Sequence, residues 1–245
     1  ARHDWIVFFD DDNEPDSNYL QVALQEIKQY QQVGCWGPGN IKVEYLSKVD
    51  EWLHKKKELF QERHESCTRF NNQRKWLDCY PFGTGLIVKR VIAAEYVKRV
   101  NGQRYTLTDR KGKSLTSGGD VQLVLTGIEM GYYAGVMKEL SLKHLIDKEK
   151  ANLRYLRRQQ YGTASAFVTA YNQVFVNAPI FVQQIDNWHI IKKIFTLLRI
   201  YATKLPSSNF SLLLASKLGE LNAVVNASGQ SKPTLLKIYE KLIDV

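Results

Sequence analysis

The chain has 245 residues, of which 44% are hydrophobic and 11% aromatic, and its formal net charge is +9. This length and apolar content predict one large folded domain, or one with a small appendage, and they exclude an intrinsically disordered protein. The excess of basic residues indicates an anionic partner, such as a nucleotide diphosphate, an acidic membrane surface or nucleic acid. Nucleic acid is the weakest of the three, because no recognised nucleic-acid-binding module is present.

The three cysteines, Cys35, Cys67 and Cys79, are odd in number and lack the spacing of metal ligands. They favour a reduced compartment, so we expect a cytoplasmic location with the thiols as ordinary core or loop residues. The sequence shows neither a signal peptide nor an apolar run long enough to cross a bilayer. An apolar strand begins by Trp5 with no preceding βα unit, and we interpret this start as that of a segment from a longer protein.

Periodicity and turn residues predict alternating strands and helices over the first 150 residues. The apolar run Trp5–Phe9 predicts a strand that is buried on both faces, as in a parallel sheet. The other predicted strands are Val33–Trp36, Ile41–Leu46, Leu86–Val88 and one after Gly131, with a turn at Gly37–Asn40. Four helices are predicted. One follows Pro15, two span Val49–Glu62 and Val91–Val100, and one begins at Asp120. Two loops are predicted, a mobile one at His64–Lys75 and a basic turn at Asp109–Lys113.

Long helices are predicted beyond residue 150, so we expect a catalytic α/β part at 1–150 and a helical region at 151–245. The four helices are Asn152–Ala178, Asn187–Leu205, Phe210–Asn226 and Leu235–Ile243. The second of them has apolar residues on one side and Lys192, Lys193, Arg199 and Lys204 on the other. Such a helix can lie in a membrane interface, or it can pack on the rest of the protein with a solvated basic face. Both interpretations stay open here.

Three carboxylates follow the first apolar strand directly, at Asp10, Asp11 and Asp12. Ligands of open α/β sheets bind beyond the carboxyl ends of strands, and clustered hard oxygen ligands favour Mg²⁺ or Mn²⁺ carrying substrate phosphates. The alternative is an acidic loop that is simply solvated or caps the next helix. An EF-hand loop is excluded, because Pro15 and Gln21 stand where Gly and Glu are needed. Glu14 weakens, without excluding, an aspartyl-phosphate phosphatase that uses Asp10 as its nucleophile.

Four short motifs occur in a characteristic order along the chain. They are Phe8-Phe9-Asp10-Asp11-Asp12-Asn13, Phe82-Gly83-Thr84-Gly85, Leu115-Thr116-Ser117-Gly118-Gly119-Asp120 and Lys143-His144-Leu145-Ile146. In this order they resemble the family 2 glycosyltransferases, and the resemblance covers about residues 1 to 165. It implies a GT-A fold, with a mixed, mostly parallel sheet flanked by helices and here a helical C-terminal extension. It also implies that the first strands of the nucleotide-binding domain precede this chain.

The resemblance implies inverting transfer of a sugar from a nucleotide-diphosphate donor to a glycan or lipid-linked acceptor. On the donor side, Asp10 and Asp12 match the Asp-x-Asp signature, with Asp11 between them. Asp12 would bind Mn²⁺ or Mg²⁺, and His144 matches a histidine that ligates the metal in some relatives. Lys150 stands near a position that is often Arg, and it would supply positive charge to the donor without a bidentate fork.

On the acceptor side, the resemblance implies that Asp120 is the catalytic base and that Gly83, Thr84 and Gly85 form the acceptor loop. Small residues in that loop would let the acceptor approach the backbone closely. Trp76 could stack on a sugar face, although ordinary packing is the alternative. The other sites also have structural alternatives, because Asp120 could be a helix cap, His144 a structural histidine, and Gly83 and Gly85 plain turn glycines.

Several positions depart from the family pattern, at Gly119, Gln122, Asp147 and Lys150. A non-catalytic sugar- or partner-binding remnant of a transferase is therefore the alternative function. The expected location is cytoplasmic, with peripheral contact at the inner face of a membrane left open.

Overall fold

The computed structural model describes residues 2–107, 118–201 and 207–245, so the predicted basic turn at Asp109–Lys113 and the motif residues Leu115–Ser117 lie outside the described residues. Two compact units are present. The first contains the residues up to Tyr105 together with Asp120–Ala151, and the second contains Asn152–Val245 with the described ends of Thr106–Gly119. No helix within the described residues is long and apolar enough to cross a membrane.

The first unit is built on a seven-stranded sheet with the order β1-β6-β3-β7-β2, while β4 pairs with β3 and β5 with β7. The strands are β1 Trp5–Val7, β2 Asn13–Pro15, β3 Val33–Tyr45, β4 Arg63–His64, β5 Arg69–Asn71, β6 Ile87–Lys89 and β7 Tyr133–Ile146. The predicted α/β class is confirmed, and the sheet is mixed. The expectation of a mostly parallel sheet is wrong for the described strands, because only β3 and β7 run parallel.

Helices flank this sheet at α1 Tyr19–Gln29, α2 Glu51–His54, α3 Arg90–Asn101 and α4 Gly119–Glu129. Tyr19 and Ala23 of α1 pack on the sheet residues Trp36, Ile87 and Met137. Residues 122–128 of α4 are almost all buried, as in a helix that is covered on every side. The helices predicted after Pro15, near Val91 and at Asp120 are confirmed.

The strand β1 is an edge strand, not one buried on both faces as predicted. Trp5, Ile6 and Val7 are half-buried, and Phe8 and Phe9 are exposed. Among the described strands, β1 pairs only with β6, so no described strand continues the sheet at its other edge. A run of apolar residues shows that a segment prefers an apolar environment, but the neighbouring strands decide how much of it is covered.

One long strand, β3, replaces the two short strands and the Gly37–Asn40 turn that were predicted. The strand continues through Pro38, with a shift in register against β7 between Pro38 and Asn40. A Cβ at Gly39 would lie 2.5 Å from the Met137 carbonyl oxygen, so glycine here allows the two backbones to approach. Residues typical of turns thus form a bulge, because a neighbouring strand holds them.

The predicted helix at Val49–Glu62 is two short pieces, α2 and a 3-10 helix at Lys57–Phe60. Gln61 follows with a φ of 68°, a left-handed conformation that ends the helix. The predicted loop at His64–Lys75 is also wrong in part, since β5 lies within it and β4 ends at His64. These strands are only two and three residues long, too short to show alternation in the sequence.

The second unit is helical, with α5 Leu153–Val174, α6 Asn187–Tyr201, α7 Ser208–Ser228 and α8 Thr234–Leu242. These helices agree with the four predicted beyond residue 150. The core formed by α6, α7 and α8 contains Ile190, Ile194, Leu218, Leu236 and Ile243. Helical periodicity was sufficient here because each helix buries one stripe against its neighbours.

Candidate functional site

Two loops lie side by side at one end of the β1–β6 pair. The strands are antiparallel, and the Phe8 amide donates a hydrogen bond to the Leu86 carbonyl oxygen at 2.8 Å. The acidic loop that leaves β1 therefore begins beside the Gly83–Gly85 loop that enters β6. Pairing of β2 with β7 then sets Asn13 opposite His144. The topology thus brings three of the four motifs to one region of the first unit.

Asp12 is the most heavily contacted carboxylate of the acidic loop. Its Oδ2 lies 2.7 Å from Lys150 Nζ and 3.5 Å from His144 Nε2, and its Oδ1 accepts a hydrogen bond from Asn13 Nδ2 at 2.8 Å. The backbone is held as well, because the Leu145 amide donates to the Asp12 carbonyl oxygen at 2.8 Å. The side chain is only 17% exposed. Asp12, His144 and Lys150 therefore form one cluster, which we call the Asp12 cluster.

The ring of His144 is oriented by a backbone carbonyl. Its Nδ1 lies 2.8 Å from the Phe60 carbonyl oxygen, which can only accept, so Nδ1 carries a hydrogen. In the neutral ring, Nε2 then presents its lone pair toward the Asp12 carboxylate. Two acceptors facing each other need a cation nearby, and the Lys150 ammonium group, which contacts the same Asp12 oxygen, supplies one. An imidazole whose Nδ1–H is held by a carbonyl is the usual arrangement of a metal-ligating histidine.

Lys150 reaches the Asp12 cluster because a turn follows β7. The Lys150 amide donates to Asp147 Oδ1 at 2.8 Å, and the Ala151 amide donates to the Asp147 carbonyl oxygen at 3.0 Å. In this chain Asp147 builds the turn that positions the lysine. The sequence alone did not indicate this role.

Asp10 and Asp11 are both exposed, unlike Asp12. The Asp10 amide donates to Asn13 Oδ1 at 3.3 Å, and the Asn13 amide donates to the Asp10 carbonyl oxygen at 3.1 Å, which closes a tight turn. Neither carboxylate forms an ion pair with any residue that the structure describes. The three adjacent acids therefore differ in environment, with Asp12 facing inward and the other two facing solvent.

The residues fit a divalent ion only as a site that is shared with its substrate. Among the described residues, no group of three or more His, Cys, Asp or Glu side chains is placed to hold a metal ion. Asp12 and His144 could supply one oxygen and one nitrogen, and Mg²⁺ or Mn²⁺ bound in this way keeps positions for phosphate oxygens and water. The Lys150 ammonium group, which contacts the same Asp12 oxygen, would have to move toward the phosphates.

The charge of Asp12 makes a prediction about stability. Burial acts to raise the pKa of the Asp12 carboxyl, but hydrogen bonds and charges from His144 and Lys150 outweigh burial and hold that pKa well below its usual range. Such a group stabilises the folded chain above its unfolded pKa of about 3.9, and this contribution is lost as the pH falls toward the lower folded value.

We therefore expect wild type to have a higher free energy of unfolding than Asp12→Asn at neutral pH. Below about pH 4 this difference should shrink, by up to about 1.4 kcal/mol per pH unit. Urea unfolding of both proteins at a series of pH values measures this difference. A difference that stays constant between neutral pH and about pH 3 would contradict the prediction, because Asp12 would then titrate alike in both states.

Asp120 lies in the first turn of α4 and contacts the glycine loop. The Gly83 amide donates to Asp120 Oδ2 at 3.1 Å, while Oδ1 accepts from the Val121 amide at 2.8 Å. A Cβ at Gly83 would lie 3.1 Å from the same Oδ2, so the absence of a side chain permits this approach. The amino-terminal end of a helix also favours a negatively charged group. Asp120 is thus half-buried and oriented beside the loop predicted to meet the acceptor.

Gly85 holds the glycine loop in place from the other side. Its φ is +66°, and its carbonyl oxygen accepts a hydrogen bond of 2.6 Å from the Tyr19 hydroxyl. A Cβ at Gly85 would lie 2.6 Å from both this hydroxyl and Leu142 Cδ2. Thr84, between the two glycines, is buried. The loop is therefore packed tightly, and Thr84 faces the protein interior.

We expect Gly85→Ala to lower the free energy of unfolding by about 2–4 kcal/mol, because the left-handed backbone and the two close contacts add their costs. Gly131→Ala is the matched control in the same unit, since Gly131 also has a positive φ, of +90°, but an added Cβ meets nothing within 4 Å. Urea unfolding measures both variants. Equal losses for the two would show that backbone strain alone acts at Gly85.

Trp76 lies in the loop that leads to Gly83, half-buried, with its ring edge against Tyr80 at 5.8 Å between centroids. Sequence reasoning missed the residue that supports this loop, which is Arg63. Its guanidinium donates to the carbonyl oxygens of Tyr80 and Asp78 at 3.2 and 2.9 Å and lies 4.3 Å from the centroid of the Phe82 ring. Arg63 stands between the predicted helix, which ends at Glu62, and the predicted loop, which begins at His64, so no local signal could identify it.

No protein-family model matches the chain, and no curated protein matches it. The sequence motifs and the geometry of the first unit are therefore the basis of the function proposed below.

Proposed function

We propose that the protein is a metal-dependent inverting glycosyltransferase with a GT-A fold, which moves a sugar from a nucleotide-diphosphate donor to a glycan or lipid-linked acceptor. The observation that supports this most strongly is the Asp12 cluster, in which His144 Nε2 and Lys150 Nζ meet one carboxylate. The same end of the sheet carries the loop whose Gly83 amide holds Asp120. An anion site and a positioned carboxylate are the two parts that such a transfer needs.

The donor side would bind the diphosphate. Lys150 supplies a positive charge, and Asp12 with His144 could hold Mn²⁺ or Mg²⁺, which as a Lewis acid stabilises the charge that develops on the departing diphosphate. Asp10 and Asp11 are exposed beside this cluster and could meet the nucleotide or metal-bound water. The net charge of +9 favours the approach of such an anionic donor.

The acceptor side would supply the base. Inverting transfer is an in-line displacement at the anomeric carbon, so the acceptor hydroxyl needs a carboxylate within hydrogen-bond reach to receive its proton. Asp120 fits this role, because the amides of Gly83 and Val121 fix its orientation. The Gly83–Gly85 loop would bind the acceptor through its backbone, and Trp76 would flank it.

The test is a calorimetric titration of UDP and then GDP into the protein, with and without Mn²⁺. We expect Mn²⁺ to strengthen the binding of at least one nucleotide, and a screen of the corresponding sugar donors would follow. Absence of binding for both would contradict the proposal for this chain. Repeating the titration on a protein extended upstream of residue 1 would show whether preceding residues are needed for the donor.

A non-catalytic sugar- or partner-binding protein is the second candidate, and one observation favours it. Both oxygens of Asp12 already have partners, Asn13 on Oδ1 and Lys150 on Oδ2, so the cluster is satisfied without an ion. Under this alternative, ligand binding would be independent of Mn²⁺ and no donor would be turned over. For either function we propose a cytoplasmic location, since Cys35, Cys67 and Cys79 are all free thiols.

A further inference from the structure

The outward face of α6 carries a stripe of exposed apolar side chains. Trp188, Ile191, Phe195 and Leu198 are spaced at i, i+3, i+7 and i+10, which places them on one side of a helix. Trp188 is 58% exposed and Phe195 67% exposed. We call these four residues the α6 stripe. Scattered exposed apolar residues are common, but an aligned group with two aromatic rings is typical of an interaction surface.

The α6 stripe is not the side of the helix that packs in the second unit. That role belongs to Ile190, Ile194 and Leu197, which are buried, and the first two join the core shared with α7 and α8. The helix is therefore apolar on two sides. The inner side explains how α6 packs in the second unit. The outer stripe has no part in that packing.

Basic residues border the α6 stripe. Lys192 and Arg199 are exposed beside it, Lys193 is exposed farther round the helix, and the helix Asn187–Tyr201 contains no acidic residue. The Lys192 Nζ lies 5.4 Å from the centroid of the Trp188 ring, so its aliphatic stem runs along the stripe. An exposed apolar stripe beside two cations, on a helix that carries a third, has the composition of a helix that lies in a membrane interface, where apolar side chains enter the acyl boundary and cations meet anionic headgroups.

We propose that the outward face of α6 docks the protein onto an anionic lipid bilayer. The α6 stripe belongs to the second unit and the Asp12 cluster to the first, and the inference does not depend on the proposed sugar transfer. At 15 residues the helix is too short to span a bilayer, so it would lie along the surface. Lipid headgroups complement the charge of the helix, and acyl chains complement its stripe.

A second copy of the chain is the less favoured occupant. In a symmetric dimer through the same face, the basic residues of one α6 would lie close to those of the other, and like charges would oppose association. An anionic bilayer has the opposite charge and removes this repulsion.

The test is co-sedimentation of the full chain with vesicles of phosphatidylcholine alone and of phosphatidylcholine mixed with phosphatidylglycerol. We expect binding to the anionic vesicles that weakens with added salt. Trp188→Ala/Phe195→Ala should weaken it on the order of ten-fold. Lys192→Gln/Lys193→Gln/Arg199→Gln should weaken it on the order of a hundred-fold at low salt.

Matched controls exist on the first unit. Leu20→Ala/Leu24→Ala removes two exposed apolar side chains from α1, and Lys28→Gln/Lys55→Gln/Lys98→Gln removes the same amount of charge from exposed positions. We expect both to bind like wild type. The substituted α6 positions are exposed, so thermal unfolding should show folded variants.

Three outcomes would overturn the proposal. The first is no sedimentation of the wild type with anionic vesicles, and the second is an equal loss of binding in the α6 variants and in their controls. The third is a wild type that forms a dimer and binds no vesicles, together with a Trp188→Ala/Phe195→Ala variant that is monomeric. The last outcome would assign the stripe to a second copy of the chain.

Discussion

We expect the Asp120→Asn variant to keep nucleotide binding and to lose sugar transfer, with kcat lower by on the order of 10³-fold. Asparagine has nearly the size of aspartate, and its carbonyl oxygen can still accept the hydrogen bond from the Gly83 amide. The loop should therefore stay in place while the group that receives the acceptor proton is lost. Initial rates with the donor identified by the nucleotide screen, together with calorimetry, measure the two effects separately.

The control for this variant is Asp78→Asn, which neutralises an exposed carboxylate in the loop that leads to Gly83. We expect wild-type rates from the control. If Asp120→Asn retained more than about a tenth of the wild-type rate, the base would have to be another residue, since general-base catalysis contributes about 10²–10⁴-fold. If transfer were undetectable even in the wild type while nucleotide binding did not respond to Mn²⁺, the binding-protein alternative would be supported.

The second large effect is expected at Asp12, where the sign of the change depends on the metal. With Mn²⁺ present, Asp12→Asn should weaken nucleotide binding on the order of a hundred-fold, because an anionic ligand is lost. Without metal, the same variant should bind the diphosphate as well as wild type or better. It removes a negative charge near the phosphates and releases Lys150, which lies 2.7 Å from the carboxylate.

Lys150→Gln is the matched variant, because it removes a positive charge where Asp12→Asn removes a negative one. We expect it to weaken nucleotide binding without metal, because the positive charge nearest the Asp12 cluster is removed. Calorimetric titrations of the nucleotide with and without Mn²⁺ measure all four combinations. Equal losses for Asp12→Asn in both conditions would contradict a metal role and would indicate that Asp12 acts only by positioning Lys150.

Much of the helical structure was predictable, because a helix buries a stripe that recurs with its own period. The helix after Pro15 and the four helices beyond residue 150 agree with the structure for this reason. Strands were predicted less well. Arg63–His64 and Arg69–Asn71 are too short for alternation to be visible, and Gly37–Asn40 has turn composition although it continues β3. In each case a neighbouring strand, distant in the chain, determines the conformation.

For the candidate site, the sequence indicated the residue types and tertiary structure decided their partners. Asp12 and His144 were both identified from their motifs, and the pairing of Asn13 with His144 brings them together. Three features were not predicted. They are the Phe60 carbonyl that orients His144, the Asp147 turn that positions Lys150, and the Arg63 contacts to the loop that leads to Gly83. Each depends on an atom that has no recognisable signal in the local sequence.

The sequence by itself determined the chemistry that this protein can offer, namely a cluster of carboxylates after an apolar strand, a small-residue loop, an aspartate at the start of a helix and a histidine in a fixed order. It also determined most of the helices, since periodicity is a local property. Only the tertiary structure decided that Asp12 turns inward while Asp10 and Asp11 face solvent, and that α6 keeps a second apolar side exposed. Burial depends on which distant segments pack together, because the hydrophobic effect acts between surfaces and not along the chain.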